Sequence, residues 1–367
     1  MTQSMPTAAD LLGRRRRILV TGGAGFIGGA VVRRLLRESE VMVFNLDKLG
    51  YASDLTSIGE VLEELGAAAA KRHCLQQVDL SDAAAVHAAV KEADPDLVMH
   101  LAAESHVDRS ISSPGVFIES NIQGTYNLLQ ALREHHASLS QSRQEAFRLH
   151  HISTDEVFGS LGKEGRFSET TPYNPRSPYS ASKAASDHLA QAWHHTFGLP
   201  VVQTNCSNNY GPWQFPEKLI PVVTLKAAAG EAIPLYGDGR NIRDWLYVED
   251  HVDALLLAAC QGEPGRCYCV GGHGERSNHE VVEAICSYMD HQRVNAAPHA
   301  DLIELVTDRP GHDRRYAIDP ERITTELGWK PRHNLHQGLS ATVAWYLDHQ
   351  EWCHSVLNNS GCQQNRL

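Results

Sequence analysis

No stretch of this chain approaches the roughly 18 consecutive apolar residues that a membrane-spanning helix needs, so no membrane partner is expected. Cysteine is sparse and scattered, with 8 in 367 residues and none at zinc-knuckle spacing. Cys267 and Cys269 stand too close along one strand to bridge each other, so reduced thiols and no metal site are expected. Positive charge is also short: 33 Lys and Arg against 44 Asp and Glu leave a net charge of −11. With no separate basic domain to offset it, a nucleic-acid partner is not expected. The arginine run Arg14 to Arg17 lacks the neighbouring apolar segment of a secretory signal. Residues 1–17 are therefore expected to be a flexible tail on a cytoplasmic chain. No internal repeat is visible, and only the alanines Ala67 to Ala70 form a low-complexity run.

What is present is an ordinary globular composition, 42 % hydrophobic and 21 % charged, long enough for a nucleotide-binding domain and a smaller lobe. Short β-rich runs alternate with amphipathic stretches. Ile18 to Thr21, Val41 to Asp47, Gln77 to Leu80, Leu97 to Ala103, Leu149 to Thr154 and Val201 to Asn205 read as strands. Helices are expected from Phe26, over Ala83 to Ala93, Val116 to His136 and Tyr179 to Phe197. That alternation predicts an α/β fold, a doubly wound parallel Rossmann sheet over residues 18–211 to which later segments return. After Gly211 the rhythm breaks into shorter pieces, including strands Pro234 to Tyr236 and Cys267 to Val270, which suggests a smaller α/β substrate lobe over 212–350. Residues 351–367 read as a polar tail.

Directly after the first strand comes Gly22-Gly23-Ala24-Gly25-Phe26-Ile27-Gly28, a spacing that lets the backbone turn tightly and approach a pyrophosphate at a helix N-terminus. The next strand ends at Asp47, 19 residues past Gly28, where a carboxylate holds an adenine ribose diol and repels a 2′-phosphate. The pair points to NAD rather than NADP, with Lys48 next door as a counter-signal. Asp79 either reaches the adenine edge or organises the turn before the following helix.

Tyr179 and Lys183 lie four apart and share one face if their segment is helical. A phenol is a poor base near its usual pKa of about 10, but an adjacent ammonium and a nicotinamide cation favour the phenolate, which suits hydride-transfer oxidation of an alcohol. Thr154, Asp155 and Glu156 follow the strand ending at Thr154, where the carboxyl ends of a doubly wound sheet face the ligand crevice. Two adjacent carboxyls there can supply an acid for a leaving hydroxyl and a base for a C–H proton, or can simply cap a turn.

These segments resemble the dTDP-glucose 4,6-dehydratases of the extended short-chain dehydrogenase/reductase superfamily, from about Ile18 to Tyr346. The resemblance is carried by the glycine motif, by Ala102-Ala103-Glu104-Ser105-His106-Val107-Asp108-Arg109-Ser110, by Ser153-Thr154-Asp155-Glu156-Val157 and by Asn205-Cys206-Ser207-Asn208-Asn209-Tyr210-Gly211-Pro212. Phe215 to Pro221, Arg243 to His251 and Asp308 to Tyr316 add to it. It implies that Tyr179 takes the 4-hydroxyl proton while hydride leaves C4 for NAD, with Lys183 holding the ribose, then that Glu156 removes the C5 proton and Asp155 protonates the departing 6-hydroxyl. Thr154 would hydrogen-bond the 4-oxygen. Cofactor contacts are implied at Gly22, Gly25, Phe26, Ile27, Gly28, Asp47, Lys48, Asp79, Leu80, Leu101, Ala102, Ala103, Ser105, Ser120, Tyr179, Lys183 and Asn209. Substrate contacts are implied at Ser105, Thr154, Asn208, Lys218, Leu219, Pro234, Tyr236, Arg243, Asn278, Asp308, Arg309 and His312, with Tyr316 near the nucleoside.

The chain departs from the family pattern at Phe158, Gly29 and Ser120, where tyrosine, serine and threonine are usual. Related folds epimerise nucleotide sugars without the Asp155-Glu156 pair, so that pair separates a dehydratase from an epimerase. A 4,6-dehydratase for CDP- or UDP-glucose and a non-catalytic NAD-sensing protein are the remaining alternatives. The resemblance also implies a homodimer in which the helices Val116 to His136 and Tyr179 to Phe197 pair with their two-fold mates as a bundle.

Overall fold

The structure, a computed structural model, describes residues 5–292, 298–308 and 310–359. Twelve strands are formed: β1 Arg17–Thr21, β2 Met42–Asp47, β3 His73–Gln77, β4 Leu97–His100, β5 Arg148–Thr154, β6 Val201–Cys206, β7 Asn208–Tyr210, β8 Ile233–Tyr236, β9 Ile242–Tyr247, β10 Cys267–Val270, β11 Glu275–Ser277 and β12 Ile303–Val306. Seven of them make one sheet in the order β10-β6-β5-β4-β1-β2-β3, and every pairing in it is parallel. Helices cover both faces, which is why the central strands β1, β2 and β4 read as largely apolar runs. Along β1, Ile18 and Val20 enter one core with Val31, Leu35, Met99 and Leu255, while Leu19 enters the other with Phe44, Val98, Leu128 and Leu149. The chain order reverses between β1 and β4, and at such a switch point the loops after the strands part to leave a ligand crevice.

The second lobe is built on the sheets β11-β9-β7 and β12-β8 around its own core of Tyr210, Ile220, Trp245, Val281, Ile285, Leu339 and Val343. Five details differ from the sequence-based expectations, the first being that the strand expected over Leu97 to Ala103 ends at His100. Cys267–Val270 pairs with β6 as the seventh strand of the main sheet instead of standing in the lobe, because a short apolar run does not reveal which sheet edge it will meet. The third strand ends at Gln77, so Val78 to Leu80 form the turn beyond it. In the expected tail, Ala8–Leu12 form a helix whose Thr7 and Asp10 close a capping box and whose Leu11 and Leu12 are buried in the main core. At the other end, Gln350–Asn359 is helical; Trp352 packs on Trp213 and donates Nε1–H to Asp54 at 3.0 Å. Asp54 in turn donates its backbone N–H to Ala24 of the glycine turn at 2.8 Å.

The main core holds histidines that never meet water. His150 on β5 and His251 on the helix Val248–Gln261 are both 0 % exposed, and burial pushes each down to about 3 from an ordinary 6.5. His150 bonds Thr204 Oγ1 at 3.0 Å, whereas neither ring nitrogen of His251 meets a partner among the described residues. Both therefore stay neutral in the fold. Below pH 6.5 the unfolded chain takes up the protons that the fold refuses, so stability is complete above that pH and falls as pH drops towards 3. Each histidine contributes a slope of about 1 kcal/mol per pH unit in that window. Thermal melts between pH 7 and pH 5 should show a falling Tm, and His251→Met should make the fall shallower; an equal fall in both proteins would show that His251 plays no part.

Candidate active site

The crevice is lined by the turns that follow β1, β4, β5 and β6. After β1 the backbone folds back at Gly22, whose φ of +72° is open to glycine, and a Cβ there would stand 2.7 Å from the Ala102 Cα. A Cβ at Gly28 would lie 2.1 Å from the Gly22 carbonyl oxygen. Gly25 is the N-cap of the helix Phe26–Glu38 and offers no side-chain cap, so the first-turn N–H groups of Phe26, Ile27 and Gly28 are left for an anion. Leu101 and Ala102 close this cradle through hydrogen bonds to the Thr21 backbone and hydroxyl, with Ala103 continuing the same half-buried loop.

Asp47 at the end of β2 is buried and already engaged: Oδ2 accepts from Ala24 N–H at 3.0 Å, and Oδ1 accepts from Leu49 N–H and Ser53 Oγ, each at 2.8 Å. It thus braces the glycine turn while Oδ2, with one partner, keeps acceptor capacity for a ribose diol. Lys48 turns to Glu104, its Nζ 2.6 Å from Oε1, so the cation next to Asp47 in the chain is engaged with a carboxylate rather than free to welcome a 2′-phosphate. This chemistry fits NAD. Asp79 is exposed and accepts from Ser81 N–H at 2.9 Å, the turn-organising alternative, and Leu80 beside it is buried. Ser105 is exposed on the loop after β4, and Ser120 is half-buried in the π-turn Ile118–Gln123.

Tyr179 and Lys183 ride on the helix Pro178–Phe197. Ser177 caps it by accepting from Ser180 N–H at 3.0 Å, Pro178 pre-sets its first turn, and Gly198 ends it in the left-handed region. Both side chains point inward: Tyr179 is 8 % and Lys183 5 % exposed. Lys183 Nζ donates to the Ile152 carbonyl at 2.9 Å, at the heart of β5. The adjacent ammonium was expected to favour the phenolate, yet in the chain alone burial holds the Tyr179 phenol well above its usual range. The neighbouring Glu156 adds to that effect, and the hydrogen bond with Thr154 opposes it. The cofactor cation invoked in that expectation is not part of the chain.

Beyond Thr154 the strand passes into a single turn, Asp155–Phe158, capped by Thr154 Oγ1, which accepts from Glu156 N–H at 3.3 Å. The tight turn separates the two carboxyls. Asp155 is 1 % exposed and Glu156 half-buried. Burial first, then the charges of Glu156 and Asp244, push Asp155 well above the usual carboxylate range, so its surroundings favour the protonated form. Asp155 Oδ2 is buried without a partner among the described residues. Phe158, at one of the positions departing from the family pattern, stacks on Phe167 with ring centroids 5.2 Å apart.

After β6, Asn208 and Asn209 are half-buried, each with an Oδ1 that meets no partner among the described residues. Lys218 N-caps the helix starting at Leu219, with its ammonium 3.8 Å from Glu217. Pro234 and Tyr236 lie on β8. Arg243 on β9 is buried over the Tyr316 ring, 4.3 Å from its centroid, and donates to the Asp313 carbonyl at 3.0 Å. Asn278 opens the helix Asn278–Gln292, donating its N–H to the Asn241 carbonyl at 3.0 Å. Asp308 and His312 pair with each other at 2.6 Å, and Arg309 lies outside the described residues. These groups sit on the lobe rather than on the main sheet.

Three buried groups that the sequence left without a role belong to this region. Asn121, 1 % exposed in the π-turn, bonds the Glu104 backbone in both directions and donates to Ser182 Oγ at 2.8 Å, tying that turn to the Tyr179 helix. Asp244 accepts from Gly274 N–H at 2.7 Å and is raised by burial to about 7. Asp187 is treated below. Only the spacing of Asp187 from Lys183 was visible in the sequence.

Comparison with known proteins agrees with this geometry. The family model described as GDP-mannose 4,6 dehydratase matches residues 19–342. A dTDP-glucose 4,6-dehydratase from Neisseria meningitidis serogroup B is 52 % identical over 350 residues, covering 94 % of this chain and 97 % of that protein. The crystal structure of dTDP-glucose 4,6-dehydratase from Bacillus anthracis in complex with NAD is similar at a TM-score of 0.81 and 39 % identity, over 93 % of this chain and 99 % of that one. The dTDP-glucose 4,6-dehydratase DesIV of Streptomyces venezuelae, with NAD bound, gives 0.83 at 38 % identity with the same coverage.

Replacing Gly28 with alanine forces the turn backbone to move, and isothermal titration should show NAD affinity falling at least about tenfold, the equivalent of about 1.4 kcal/mol. Unchanged affinity would mean that the dinucleotide does not bind at this cradle. On motif, fold and relatives together, the chain belongs to the dTDP-glucose 4,6-dehydratases, within the wider family of the GDP-mannose 4,6 dehydratase model.

Proposed function

We propose that this chain converts dTDP-glucose to dTDP-4-keto-6-deoxyglucose with bound NAD, and that Thr154, Asp155, Glu156, Tyr179 and Lys183 carry the chemistry. The observation that carries this reading is the Asp155-Glu156 turn beside Tyr179: an alcohol oxidation alone has no use for two carboxyls, whereas a dehydration needs an acid and a base. The dinucleotide contributes a two-electron store, taking hydride from C4 and giving it back at C6. Tyr179 takes the 4-hydroxyl proton, with Thr154 holding the 4-oxygen and the Lys183 ammonium stabilising the phenolate. The resulting 4-ketone acidifies the C5 proton. Glu156 removes that proton while Asp155, whose burial favours its protonated form, gives its proton to the 6-hydroxyl, which leaves as water. Glu156 then returns a proton to C5 as C6 is reduced. The proton held by Tyr179 and the one lost by Asp155 balance through solvent.

Arg243, Asn208, Lys218, Asn278 and His312, with Arg309, are proposed to grip the nucleotide diphosphate, for which guanidinium forks and amides are suited donors. Pro234, Leu219 and Tyr236 are proposed to flank the base. A cytoplasmic setting is supported by the seven cysteines among the described residues, all of them free thiols. A homodimer is supported by Ile111, Val116, Ile118, Tyr126 and Phe197, large apolar side chains 38–51 % exposed along Val107–Ser138 and the end of the Tyr179 helix.

Purified protein with NAD should form a 4-keto-6-deoxy product from dTDP-glucose. Tyr179→Phe should cut the rate by at least about a hundredfold. The double variant Asp155→Asn/Glu156→Gln should instead stop after oxidation, accumulating NADH absorbance without a 6-deoxy product. Turnover restricted to UDP- or CDP-glucose would move the substrate, and full dehydration by the double variant would refute the acid and base roles. Ile118→Asp with Phe197→Glu should convert a dimer to a monomer in light scattering; a native monomer at micromolar concentration would refute the dimer.

A further inference from the structure

Asp187 stands one turn beyond Lys183, as Lys183 stands one turn beyond Tyr179, so the three share a stripe of the helix Pro178–Phe197. The reaction steps above make no use of Asp187, yet its carboxylate is 1 % exposed and receives four donors. His151 Nε2 donates at 2.8 Å, Ser153 Oγ at 2.8 Å, the Tyr173 hydroxyl at 2.9 Å and Asn205 Nδ2 at 3.4 Å. His151 and Ser153 belong to the stretch of β5 that runs straight into Thr154, and Asn205 Nδ2 also donates to the Thr154 carbonyl at 3.0 Å. Only an ionised carboxylate accepts from all four; an amide there would set its own N–H groups against some of them. A buried charge is expensive unless compensated.

We propose that Asp187 is a positioning residue for the reaction: its carboxylate, one turn along the same helix stripe, is the buried counter-charge to the Lys183 ammonium, and its hydrogen bonds lock the Tyr179 helix to the strand that presents Thr154, Asp155 and Glu156. This rests on the reading of Tyr179 and Lys183 as the oxidising pair. Lys183 is buried, and burial alone favours loss of its proton; among the charges that act on it, Asp187 opposes that loss most. The other titratable groups facing the two residues are neutral. From β4 and β5, His100 and His151 are held deprotonated by burial, and from β6 the Cys206 thiol is pushed up to about 12. Tyr173 from the loop and Cys267 from β10 are likewise raised by burial. His188 packs on the outer side of the Tyr173 ring. Asp155 and Glu156 act on Tyr179 instead.

The pH profile of kcat/KM for dTDP-glucose tests this in the full-length protein with NAD. The Lys183 ammonium and Asp155 must both hold a proton, so losing either contributes to the alkaline limb, and Asp187→Asn reads the contribution of Lys183. In Asp187→Asn that limb should move down by about one pH unit, a tenfold loss of rate on its far side, while the acid limb stays. Ser153→Ala/Tyr173→Phe removes two donors but keeps the charge; it should lower Tm and leave the alkaline limb in place. An Asp187→Asn protein with a lower Tm but unmoved limbs would overturn the inference. If that variant does not fold, the double variant decides: a limb that falls together with Tm would show that any loosening of the helix moves it, and would overturn the charge role. Absence of any turnover in the native protein would instead refute the reaction assignment.

Discussion

The site depends on parallel register at the carboxyl edge of the sheet. His100 at the end of β4 pairs with His151, so β5 runs three residues further and delivers Thr154 opposite Cys206 of β6. That overhang carries the Asp155–Phe158 turn into the crevice opened by the strand reversal between β1 and β4. The helix Pro178–Phe197 then packs across β5 and β6 and supplies the groups that face this turn. A shift of β5 by one residue would turn Ser153 outward and Thr154 inward, breaking the contacts with Asp187 and the cap on Glu156 together.

Burial sets the electrostatics of this region more than neighbouring charge does. Enclosure raises Asp155 well above the usual carboxylate range, and the nearby Glu156 strengthens the effect. The same enclosure keeps the Tyr179 phenol protonated in the chain alone and pulls on the Lys183 proton. In the proposed reaction the acid that must donate is thereby favoured in its protonated form, whereas the phenolate has to be stabilised by groups that arrive with the cofactor. The glycine turn completes this arrangement: a backbone cradle without side chains, braced by Asp47 and held from behind by Asp54 and Trp352.

Much of this was legible in the sequence, for physical reasons. Gly22 and Gly28 are glycines because nearby backbone leaves no room for a Cβ at either position, and that constraint prints itself as spacing. Tyr179 and Lys183 share a helix face by period alone, and the ends of β1, β2 and β5 followed from their apolar runs. What could not be read depends on contacts between distant segments. Asn121, Asp187 and Asp244 are polar letters whose burial appears only once strands and loops far apart close over them. The seat of β10 is set by an edge that β6 leaves open, and the five-residue helix Ala8–Leu12 is too short for a periodic signal. The lysine neighbour of Tyr179 was visible in the sequence, whereas the enclosure that raises its phenol in the chain alone was not.

The central claim is that one active site removes hydride from C4 and returns the same hydride to C6 between two proton transfers. The most direct measurement is turnover of dTDP-glucose carrying deuterium at C4, with the product analysed by mass spectrometry and NMR. Deuterium should be retained in the product at C6, with solvent hydrogen incorporated at C5 and no net release of NADH. Deuterium lost to solvent, or found again at C4 of an otherwise intact hexose, would contradict it.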